Sequence, residues 1–177
     1  AFFKERNDCT RLAAAHNLRG DLLLKHSEFV AALSEYDEAL AWAARCRPPH
    51  LYYEIAARVR RCVAQVKLGI ETTSIEYEIQ EIELVCREKE YWNHLARLKL
   101  AEAELMQRKR SYAALEAAVR EAVRSALRFN ILLAAEILNW VQQFEERVRL
   151  LAVVDDEMTA GNVLRAARSS VTMTINP

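Results

Sequence analysis

The sequence predicts an all-α chain of about seven to eight helices arranged as antiparallel hairpins. Three observations lead there. Glycine and proline number three each in 177 residues, and neither occurs between Gly69 and Gly161. A β-rich fold needs turn residues at roughly every 8–12 positions, and they are missing here. Apolar residues, 52% of the chain, recur at steps of three and four, the helical period. The length is ample for one domain with a real core, taken as 1–177.

The elements follow in order. A first helix is predicted over Thr10–Lys25. Ser27 reads as the N-cap of the second, whose stripe is Phe29, Ala32, Leu33, Tyr36, Ala39 and Leu40. That helix ends before Pro48, because the residue ahead of a proline avoids the α region. Leu51, Ile55, Val59, Cys62, Val63 and Val66 make the third stripe, closing near Gly69. IETTS is a loop in which Thr73 or Ser74 caps the fourth helix, with Ile75, Ile79, Ile82, Val85 and Cys86 as its buried face. Leu95, Leu98, Ala101 and Leu105 carry the fifth, and QRKRS sets cations at its C-terminus, where the helix dipole favours them. Tyr112, Leu115, Val119, Ala122, Val123 and Leu127 carry the sixth. A long seventh holds Leu133, Ile137, Trp140, Phe144, Val148 and Leu151. Asp155–Glu157 cap a short last helix with Val163, Leu164 and Ala167. The hairpins span about 10–47, 50–90 and 91–128, the terminal helices 130–152 and 156–169, and 170–177 is an extended or disordered tail.

Several function classes are set aside. Lys+Arg and Asp+Glu balance at 25 each, without the basic excess of a nucleic-acid surface. No apolar run approaches the ~18–20 residues of a membrane span. Cys9, Cys46, Cys62 and Cys86 include no C-x-x-C pair, so buried reduced thiols are expected rather than a zinc framework. His16, His26, His50 and His94 fall on separate elements, and no nucleotide, hydrolase or metalloprotease signature occurs. No enzyme activity, metal or cofactor is expected, and the location is read as cytoplasmic. Trp42, Trp92 and Trp140 read as packing residues. The chain opens on AFFKERND, without Met, and the sequence leaves open whether flanking domains are missing.

The paired helices also repeat. Gly20, Leu23, Phe29, Ala32, Tyr36 and Ala39 stand at offsets 0, 3, 9, 12, 16 and 19. From Ala103 the same offsets reach Met106, Tyr112, Leu115, Val119 and Ala122. The pattern resembles the tetratricopeptide repeat. That resemblance implies an α-solenoid, a right-handed superhelix of hairpins. It makes Gly20 the small residue that admits the second helix, and Ala32 the small residue facing it. The repeat averages about 41 residues, longer than the usual ~34. It is similar in that respect to the sensor regions of large bacterial transcription activators of the maltose-regulator type.

In stacked hairpins the first helix of each pair lines the concave face. Asn17 and Asp21, then Arg58, Arg61 and Gln65, then Arg97 occupy the polar sides of the three first helices and are the candidate groove residues. Residues 45–68 carry a charge of +5 and residues 71–90 carry −5, from solvated faces or from a basic groove suited to an acidic peptide. The family includes chaperone-binding modules that clamp a terminal carboxylate with Lys and Asn. Asp21 near such a position would repel it, so that clamp is not expected. The function read from the sequence is recognition of a protein or peptide, an acidic one if the groove is basic, with neither nucleic acid nor membrane as partner. The alternatives are a sensing or regulatory segment of a larger cytoplasmic regulator, and self-assembly as a homodimer through the terminal helices.

Overall fold

A computed structural model describes residues 8–70, 73–129, 131–142, 150 and 152–161. Among them, helix is the only regular structure. The helices are α1 (Cys9–Lys25), α2 (Phe29–Arg45), α3 (Leu51–Lys67), α4 (Thr73–Glu88), α5 (Trp92–Arg108), α6 (Tyr112–Phe129), α7 (Ile131–Val141) and α8 (152–161). The first six are 16 to 18 residues long. α1, α3 and α5 begin at residues 9, 51 and 92, so the helical pairs advance by 42 and 41.

One turn closes four of these helices. Ser27, Gly69, Glu90 and Arg110 adopt φ of 61°, 79°, 56° and 55°. The next amide in each case reaches back five residues: Glu28 to Leu23 (2.9 Å), Ile70 to Gln65 (3.1 Å), Tyr91 to Cys86 (2.9 Å) and Ser111 to Met106 (2.9 Å). This is the Schellman closure, which satisfies carbonyls the helix leaves unpaired. Ser27 is therefore not the N-cap of α2. The connector is only three residues long, so Ser27 serves the end of α1 and Glu28 opens α2. At the start of α1, Asp8 accepts from the Arg11 amide at 3.1 Å, the expected role of an N-cap carboxylate.

Among the described residues, α1–α7 pack substantially on helices one or two places along the chain. That is compatible with a helical repeat. α3, α4 and α5 enclose one core, with Ile55, Val59, Val66, Ile79, Ile82, Leu95, Leu98 and Leu105. α5, α6, α7 and α8 enclose the next, where Ala103, Leu115, Val119 and Ala122 join Ile137, Leu150 and Val154. Tyr112, expected to pack between helices, is 45% exposed. It is the first residue of α6 and precedes that helix's first buried turn.

Gly20 is buried in α1, and a Cβ placed there would lie 2.4 Å from a ring carbon of Tyr36. The atoms nearest that position belong to Tyr36, where the spacing suggested Ala32. Ala32 is buried beside Tyr36 and Ala64 of α3, with Leu23, Leu24 and Leu33 packed on them. Ala39 is fully buried too.

The last segment departs from expectation. Asp155–Glu157 lie inside α8 rather than capping a helix. Glu157 is buried and accepts from Arg120 Nη1 (2.7 Å) and from Arg124 Nε (2.7 Å) and Nη2 (3.0 Å), which ties α8 to α6. Phe144, Val148, Leu151, the stripe Val163–Ala167 and the tail 170–177 lie outside the described residues.

Candidate functional site

The odd-numbered helices place three short stripes side by side. α1 contributes Ala14, Asn17 and Leu18. α3 contributes Tyr52, Tyr53, Ala56 and Arg60. α5 contributes Asn93, His94 and Arg97. Together they line a pocket of about 340 Å³. Tyr52, Ala56 and Arg60 share one side of α3 because they recur every four residues. Ala56 keeps the floor open between the two longer side chains.

Two polar atoms in the wall are buried and unpartnered. Asn17 is 4% exposed, and its Nδ2 donates to the Tyr53 carbonyl at 3.4 Å. That contact orients the amide and leaves Oδ1 as a buried acceptor without a bond. His94 is 3% exposed, and its Nε2 is equally unbonded. Both atoms are closed off from solvent and carry a cost of about 1–3 kcal/mol each, as do Trp42 Nε1 and Ser125 Oγ away from the pocket.

The electrostatics lean positive. Arg60 Nε donates to Asp21 Oδ1 at 2.7 Å and its Nη1 to the Ala56 carbonyl at 3.1 Å. Asp21 also accepts from the Tyr36 hydroxyl at 3.1 Å. Burial, then the Asp21 carboxylate, push the Tyr36 phenol well above its ordinary range. Asp21 therefore holds Arg60 in place and spends its charge there. Arg97 is exposed and has no ion pair among the described residues. Burial, then Arg60 and Arg97, bring the His94 imidazole down to about 4, so it is neutral at neutral pH.

Aromatic rings border the pocket. Tyr52 stands 4.8 Å from His94, 5.3 Å from Tyr91 and 5.6 Å from Tyr53 between ring centroids. Asn93 Nδ2 donates to the Tyr52 hydroxyl at 3.4 Å. A second cavity of about 440 Å³ adjoins on the far side of Tyr52, walled by Cys46, Pro48, Pro49, Leu51 and Tyr91 among others.

The structure brings Asn17 and Arg97 together as wall residues, with Asp21 behind them. It does not bring Arg58, Arg61 or Gln65 there. Arg58 donates to Glu78 (3.4 Å) and Glu81 (3.0 Å), and Arg61 to Asp37 (3.4 Å) and Glu78 (2.7 Å). The opposite charges of α3 and α4 thus meet across their own hairpin. Gln65 is half-buried, its Oε1 without a hydrogen bond. The reason is geometric. α3 packs against α1, α2, α4 and α5, so its polar residues divide among several seams, whereas an amphipathic reading assumes one wet face. Arg60, His94, Tyr52 and Tyr53 were missed. The Tyr52–Ala56–Arg60 spacing and the acidic partners on α4 were the available signals.

Among the described residues no three His, Cys, Asp or Glu side chains gather as a metal site, and no helix is long and apolar enough to cross a membrane. No protein-family model, no curated protein and no solved structure matches the chain.

Proposed function

We propose that this chain is a tetratricopeptide-like recognition module that holds a peptide or partner helix in the groove formed by α1, α3 and α5. The observation that carries the reading is the pocket itself, walled by α1, α3 and α5, with an exposed Arg97 that makes no ion pair among the described residues. A guanidinium free in a cleft suits an anionic group of a ligand. The step of 42 and 41 residues between hairpins and the seating of Tyr36 on Gly20 support the repeat assignment. The unpaired thiols of Cys9, Cys46, Cys62 and Cys86 suit a reducing cytoplasm.

The test is an unrestricted peptide selection against the folded chain, followed by amide chemical-shift mapping of the best binders. Shifts gathered on Asn17, Ala56 and Arg97 are the expected result. Binders that perturb only α2, α4 and α6, or no binders at all, would reject the groove.

A further inference from the structure

We infer that the occupant of this groove is a continuous peptide segment with an acidic side chain in the pocket and an apolar side chain about two residues away, beyond Tyr52. The inference rests on the recognition reading and gives it a ligand chemistry.

The donors choose the anion. Asn17 Oδ1 is closed off behind the wall and offers the ligand nothing; the exposed guanidinium does the choosing. Arg97 has no counter-charge among the described residues, and Arg60 keeps one amino group beyond its bonds to Asp21 and Ala56. These ask for a carboxylate, which guanidinium groups bind through paired, charge-assisted bonds. In a peptide, an acidic side chain presents that carboxylate.

The surroundings choose an internal residue over a chain end. Along α1, Thr10 lines the second cavity, Asn17 lines the pocket, and Leu22, 59% exposed, stands one turn past Leu18. Surface for a ligand therefore extends on both sides of the anion position. Tyr52 is a wall of both cavities. At ~3.3 Å per residue, an extended strand crosses one ring width in about two residues. The second cavity, walled by Pro48, Pro49, Leu51 and Tyr91, with Arg47 among its polar members, takes the apolar side chain.

The experiment uses two synthetic libraries of nine-residue peptides, acetylated and amidated so that neither end is charged. One carries a central glutamate with randomised flanks, the other a central glutamine. Each is measured by fluorescence anisotropy against the whole chain and against Arg97→Gln, whose exposed position leaves helicity unchanged. Glutamate peptides with an apolar residue about two positions away are expected to bind about tenfold tighter than their glutamine partners, and to lose about that factor in Arg97→Gln. Equal binding by glutamine peptides overturns the inference. Free glutamate competing at the peptide's own concentration overturns it in favour of a small effector. If neutral peptides bind and still shift Asn17 and Arg97, the recognition reading survives and this ligand chemistry falls. If neither library binds, both fall.

Discussion

A single methyl group at Gly20 would decide the spacing of α1 and α2. Its Cβ would meet three ring carbons of Tyr36 at 2.4 to 2.8 Å, and that ring is fully buried. Alanine gains about 1 kcal/mol of helix propensity over glycine, but overpacking costs about 1–3 kcal/mol. Gly20→Ala is expected to lower stability by ~1–2 kcal/mol in urea unfolding. In a Tyr36→Ala background the same change should become neutral or favourable, and a penalty that persists there would show that the ring is not the obstacle. His94 gives a second residue-scale prediction. Its folded-state value of about 4 lies below the ordinary 6.5, so the unfolded chain binds the proton more tightly. Stability is then complete above about pH 6.5 and falls as the pH drops toward 4, by roughly 3 kcal/mol. Arg60 and Arg97 face the ring and oppose its protonation; Tyr52 and Tyr91 pack on it. Glu157 and Glu83 lie below their ordinary value, because bonds to Arg124 and Arg120, and to Lys99 and Arg87, outweigh burial. Their contribution is lost only at more acid pH. His94→Gln should therefore flatten the unfolding midpoint between pH 6.5 and 4.5, and an unchanged slope would remove His94 as its source.

Helix ends, not helix middles, carry the local strain in this chain. Four helices finish in the same left-handed turn, yet only Gly69 supplies the residue that suits it. Ser27, Glu90 and Arg110 hold positive φ with a Cβ present, which costs about 1 kcal/mol each. Arg110→Gly is expected to raise the midpoint of thermal unfolding, worth ~0.5–1 kcal/mol; a decrease would mean that its side chain contributes more than its backbone costs. Between elements, charge does the aligning. Lys99, buried at 8% exposure, bridges Glu83 of α4 (2.6 Å) and Glu102 of its own helix (2.7 Å), and Lys109 pairs with Glu76. Removing a partner of the buried Lys99 leaves an uncompensated charge, so its contacts fix register more than they add net stability, while the half-exposed Lys109–Glu76 pair adds little.

At the scale of the molecule, the substantial helix contacts among the described residues run to near neighbours. Stability in that arrangement is close to a sum over adjacent units. Deleting residues 131–177 is expected to leave α1–α6 folded, with a lower urea midpoint because Val119 and Ala122 lose cover from Ile137 and Val154. Far-UV circular dichroism that collapsed with the deletion, rather than falling in proportion, would contradict neighbour-only coupling. The pocket lies wholly on α1, α3 and α5, so the same truncation should leave its peptide binding intact.

The periodicity of apolar residues and the scarcity of glycine and proline determined the helices, their number through α6 and the pairing rhythm, because those follow from local backbone preference and from burying one stripe per helix. Gly20, Tyr36 and Ala39 were legible for the same reason: close packing leaves a trace in residue size. Asn17 and Arg97 were reachable because α1 and α5 keep a polar strip beside the pocket. Only the tertiary structure decided where α3 points its cations. It sends Arg58 and Arg61 to Glu78, Glu81 and Asp37, and turns Arg60 toward the groove under Asp21. One helix packed against four others has several seams. A periodic pattern in one dimension cannot say which seam a charge fills until its partners, distant in sequence, are in place.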